Sequence, residues 1–128
     1  MKFSGLAPLA PGASTIDLEV SGLGLIDLRN DYDLVQCVVK LTKTRSTICI
    51  RLESRPDAST LIDLNFLDVE LIEAEIQRLD DILIEDRTLF EDLMFWQNEN
   101  GSGFAVETGV AHFVFKATEL TVEVRSQD

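Results

Sequence analysis

The chain has 128 residues, 45% of them apolar and 27% charged, the length and composition of one globular domain rather than of a disordered chain. Lys and Arg number 11 against 23 Asp and Glu, a formal net charge of −12. That balance argues against nucleic acid, whose phosphates are held by basic side chains, and against anionic membrane surfaces; nor is there a run of about 18 apolar residues to span a bilayer.

The opening MKFSGLAPLAPGAS carries one base, Lys2, and its apolar stretch is broken by Pro8 and Pro11. It lacks the features of a secretory signal. Residues 1–13 are expected to form a flexible or loosely docked lead-in to a single globular domain over 14–128, working in the cytoplasm.

Charge is concentrated in one segment. Residues 1–60 hold seven bases and seven acids. Residues 61–109 hold two bases, Arg78 and Arg87, against thirteen acids, a net of −11. Residues 110–128 hold two bases against three acids. The acidity therefore belongs to the centre of the chain.

Period-two alternation dominates the pattern. In STIDLEVSG, Ile16, Leu18 and Val20 alternate with Asp17 and Glu19, as in a half-buried strand. Gly22 and Gly24 mark a turn, and Leu25–Arg29 returns as a second strand. In the next stretch, Val35, Cys37, Val39 and Leu41 face one way, and Ile48, Ile50 and Leu52 do so on a second arm. A hairpin turning near Lys43–Arg45 puts both sets on one face. That register sends Cys37 inward and Cys49 outward, so the two sulfurs stay free thiols. After the SRPDAS loop, TLIDLNF places Ile62, Leu64 and Phe66 on one face.

Over 67–97 two readings compete. Ile72, Ile76, Leu79 and Leu83 fall at helical spacing among good helix formers; Val69 and Leu71 instead continue the preceding strand. The expectation is a helix for part of 68–84 and a strand over 89–97. NENGSG reads as a loop, and Phe104–Glu107 as a short strand. AHFVFKATELTVEVR reads as a hairpin pairing Phe115 with Leu120 and Phe113 with Val122, which sets His112 opposite Glu123 and Lys116 opposite Glu119. The expected fold class is mainly β to α+β, an antiparallel meander sheet or sandwich with at most one helix.

Few residues assemble into a chemical site. His112 is the only histidine, and a Ser–His–Asp or Cys–His mechanism would have to use it; mid-strand, it reads as a structural residue. One His and two cysteines on opposite faces do not make a zinc site. Asp27, Asp31 and Asp33 lack the glycine and the terminal Glu of a calcium loop and read as a solvated turn. Gly101 and Gly103 lack the lysine of a phosphate loop. No cofactor and no metal is expected, and no catalytic set converges. The acidic residues Asp80, Asp81, Glu85 and Asp86, with Glu91 and Asp92 beyond them, read either as a solvated face or as a docking surface for a basic partner. Trp96, with Phe90, Met94 and Phe95, reads as core, or as an interface anchor if it is exposed beside those acids.

The runs LIDLNFLDVEL, GFAVETG and HFVFKATELTVEV give residues 32–125 a resemblance to small, acidic, β-rich bacterial domains, some of which act as immunity proteins beside toxins. The resemblance rests on apolar spacing and carries over no catalytic residue. It implies a protein that masks a partner through an acidic surface. The expected function is therefore a non-enzymatic protein-binding domain that meets a basic partner through Asp80, Asp81, Glu85, Asp86, Glu91, Asp92 and Trp96. The alternatives are a self-associating domain forming a homodimer, and a small-molecule binding module with a pocket between the β layers.

Overall fold

The computed structural model describes residues 1–76 and 88–127. These residues form twelve strands and no helix: β1 (Lys2–Ser4), β2 (Ser14–Thr15), β3 (Asp17–Val20), β4 (Gly24–Asp27), β5 (Tyr32–Lys40), β6 (Thr47–Ser54), β7 (Thr60–Leu67), β8 (Glu70–Ile76), β9 (Phe90–Asn98), β10 (Gly101–Thr108), β11 (Ala111–Lys116) and β12 (Glu119–Ser126). Ten of them make two five-stranded sheets. The first has the order β1-β12-β7-β6-β5 and the second β2-β9-β10-β11-β8. All their pairings are antiparallel except β1 with β12.

The two sheets face each other across an aromatic core. Phe66 of the first sheet meets Phe104 and Phe115 of the second edge-on, at ring centroid distances of 4.9 and 5.0 Å. Ile48, Ile50, Leu52, Ile62 and Leu64 are fully buried beneath them. The alternation read from the sequence produces this layer, because every second residue of each strand points inward.

The β3–β4 hairpin forms where the glycine turn predicts it. It closes one side of the sandwich, where Leu6 bridges to Val20 and Leu6, Leu18, Val20 and Leu28 are buried. The first residues take part as well. β1 adds to the first sheet, Phe3 packs edge-on against Phe95, and the Gly12 N–H donates to the Phe95 carbonyl. The expected lead-in is thus docked onto the sandwich.

The β5–β6 hairpin keeps the expected register at its far end, with Cys37 opposite Ile50 and Val39 opposite Ile48. A bulge between Leu34 and Gln36 then shifts the phase. Tyr32 and Leu34 turn inward and Val35 outward, so Val35 does not join the inward set. Both cysteines are free.

Two expectations fail at one place. β11 and β12 are not the arms of a hairpin, because they lie in different sheets. Nor is Glu70–Ile76 helical. Instead, Thr60–Ile76 and Ala111–Ser126 run antiparallel to each other along their whole length, as β7 with β12 in one sheet and β8 with β11 in the other. The ladder bends between sheets at Asp68 and at Ala117–Thr118. Asp68 sits at positive φ (54°), and Ala117 is a small buried residue. The backbone groups of 70–76 bond to β11, and this tertiary pairing overrides the helical spacing of Ile72 and Ile76. The rest of the expected helix, over 77–84, lies outside the described residues. NENGSG also contracts to a tight turn, with Asn98 opposite Gly101.

Candidate functional site

Strand register sets the outer face of the second sheet, row by row. The first row is Asp92, Glu107, His112 and Glu75, on β9, β10, β11 and β8. The second is Met94, Ala105, Val114 and Glu73, and the third Trp96, Gly103, Lys116 and Glu70. Among the described residues the face therefore carries five carboxylates, one ammonium group and one imidazole around an apolar middle of Met94, Ala105 and Val114.

His112 sits among the acids. Its Nδ1 lies 2.6 Å from Glu107 Oε1, and its Nε2 lies 4.0 Å from Glu73 Oε1. The expected partner, Glu123, is in the other sheet. Lys116 likewise reaches Glu70 at 4.0 Å, while Glu119 pairs with Lys2 at 3.9 Å. A shallow cleft of about 260 Å³ opens here between Glu73, Glu75, Glu107, Thr108, Ala111 and His112. Among the described residues, no group of three His, Cys, Asp or Glu side chains is gathered to hold a metal ion.

Trp96 lies half-buried on this face, its Nε1 enclosed without an acceptor among the described residues. Its cross-strand neighbour is Gly103. A Cβ on Gly103 would run into the Phe115 carbonyl and come within 2.8 Å of Lys116 Cα, so only glycine admits so close an approach of β11 to β10. Phe90 and Phe95 are core, while Met94 and Trp96 are on the surface.

The outer face of the first sheet is arranged differently. Asp63, only 3% exposed, accepts from Arg51 Nε and Nη2 at 2.7 and 3.0 Å and from Arg125 Nη2 at 2.7 Å. The Arg51 hydrogen bonds hold its carboxyl below the usual range, against the opposing effect of burial. Glu123 approaches Arg125 at 3.7 Å. The charges around Asp63 thus pair within the molecule. Cys49 lies on the same face, its thiol raised mainly by burial and then by Asp63. Burial pushes the Cys37 thiol, on the inner side, up to about 11. Neither thiol is poised as a nucleophile.

The Asp27 carboxylate organises its own turn. It accepts from Arg29 N, Asn30 N and Asn30 Nδ2 at 3.0, 2.9 and 2.7 Å. The Asn30 side chain is the main cause of its lowered pKa.

Of the residues expected to dock a partner, Asp92 and Trp96 lie on the acidic face, and Glu91 is exposed at the β9 bulge. Asp80, Asp81, Glu85 and Asp86 lie outside the described residues. Glu70, Glu73, Glu75 and Glu107 join the face without having been singled out. The period-two pattern of Glu73, Ala74 and Glu75 signalled the first group, but the helical spacing around it masked that signal. Among the described residues no helix is long and apolar enough to cross a membrane. No family model, curated protein or solved structure matches the chain.

Proposed function

We propose that the chain is a non-catalytic protein-binding domain that docks a basic partner against the outer face of the second sheet. One observation carries this reading. Among the described residues, Glu70, Glu73, Glu75, Asp92 and Glu107 share that face with one ammonium group, whereas on the other sheet the central Asp63 is held between Arg51 and Arg125. Such an asymmetric field steers an oppositely charged surface into register and rejects acidic ones. Met94, Val114 and Trp96 supply apolar contact in its midst. An immunity protein that covers a basic toxin in the cytoplasm is the form of this function suggested by the resemblance of residues 32–125.

The test is binding of a purified basic partner, first recovered by salt elution from a host lysate. Charge reversal by Glu73→Lys, Glu75→Lys and Glu107→Lys together should weaken the complex by at least about a hundredfold at low salt, and added salt should weaken the unmodified complex. A partner whose affinity ignores both changes overturns the reading.

A further inference from the structure

The two sides of the sandwich differ. The β1–β2 side is covered by the β3–β4 hairpin. On the opposite side β5 and β8 are the terminal strands of their sheets, and apolar side chains stand in the open. Leu41 is 65% exposed and Ile72 56%, with Val39 and Leu71 beside them. Between the two margins lies a cleft of about 520 Å³, reaching inward to Phe113. Past Leu34, whose N–H meets the Thr88 carbonyl at 2.9 Å, no strand among the described residues pairs with the outer edge of β5.

The two margins are of opposite sign. Lys40 ends β5 and Lys43 follows it, and neither meets a carboxylate among the described residues. β8 carries Glu70, Glu73 and Glu75. We propose that this side is where two copies of the chain meet, the β5 margin of each against the β8 margin of the other. The crossed arrangement brings Lys40 and Lys43 to Glu70, Glu73 and Glu75, whereas pairing β8 with β8 sets six carboxylates together. It covers Leu41 and Ile72, and about a two-fold axis it forms twice and closes. It also pairs edges that no described strand covers and that otherwise invite disordered association.

Charge exchange followed by sedimentation tests the arrangement. One chain carries Lys40→Glu and Lys43→Glu; a second carries Glu70→Lys, Glu73→Lys and Glu75→Lys. Each alone should dimerise at least about tenfold more weakly than the unmodified chain, and mixing them should restore a dimer of one copy of each. Leu41→Asp, at a position open to solvent, should give the same loss without altering either charged set. Circular dichroism checks that each chain is folded. An unmodified chain that stays monomeric to millimolar concentration overturns the proposal, as do folded variants whose mixture stays monomeric. The Lys40→Glu, Lys43→Glu chain keeps the acidic face intact. It should therefore still bind a basic partner, so failure of self-association and failure of partner docking are read separately.

Discussion

Thr118 Oγ1 donates a hydrogen bond to Asp68 Oδ2 at 2.7 Å, and these two residues stand at the two bends where the long ladder passes from one sheet to the other. Asp68 Oδ1 also accepts from Arg45 Nε at 3.0 Å, the Thr118 N–H donates to the Leu67 carbonyl, and the Val69 N–H donates to that of Ser46. The corner is therefore tied from three strands. Thr118→Val should lower stability by about 1 kcal/mol, the net worth of one such hydrogen bond, and Asp68→Ala by more, because it also removes the Arg45 contact. The double variant should lose less than the sum, because both changes remove one contact. Urea unfolding of the four chains measures the cycle, and strict additivity would show that the contact does not couple the bends.

Asp63 makes stability depend on acid. Its carboxyl is held below the usual range in the folded chain, chiefly by Arg51. A depressed folded value contributes stability that is fully present above the unfolded value of about 3.9 and is lost as pH falls through the folded value. Asp63→Asn should cost about 1.5–3 kcal/mol at neutral pH, since it removes hydrogen bonds to charged groups. It should also flatten the loss of stability below about pH 4. Urea midpoints measured across that range test both.

Gly103→Ala should be among the most damaging small changes in the second sheet. The new methyl group meets the Phe115 carbonyl, which is backbone and cannot rotate away. A loss of about 2 kcal/mol or more is expected from such overpacking, with a lower melting temperature. Ala105→Gly, two residues along the same face, should cost only about 1 kcal/mol. Equal effects at the two positions would argue against the close approach of β11.

Cys37 should resist alkylation in the folded chain. A thiol raised to about 11 is ionised in only about one molecule in a thousand at pH 8, against a quarter or so of free cysteine. Iodoacetamide labelling, read by mass spectrometry, should be slow at Cys37 and become fast in urea. Rapid labelling under native conditions would place the thiol in a different environment.

Alternation was the readable part of this chain. Ile62, Leu64 and Phe66, or Leu18 and Val20, announce their inward faces because a strand changes side at every residue, and the structure buries all five. Local patterning does not tell a turn from a bend. In HFVFKATELTVEV the inward set shifts from odd to even positions between Ala117 and Leu120, which suits a hairpin as well as a strand passing between sheets. What decides is the long partner strand, about fifty residues away in sequence. The same holds for Ile72 and Ile76, whose spacing suits a helix until β11 is in place beside them. At the site, composition gave the charge and only register gave the face. Glu107 and Glu75 become neighbours of His112 through three strands that no short window of sequence contains.

The parallel pairing of β1 with β12 links Lys2–Ser4 to Glu119–Thr121. During synthesis the first of these segments leaves the ribosome on the order of ten seconds before the second. Until β12 arrives, Phe3 has no neighbouring strand to hold it over Phe95 and Phe104. The nascent chain thus carries an unpaired segment until β12 is made, and closure of the first sheet waits for its most distant contact, a topology that slows folding relative to one built from local hairpins.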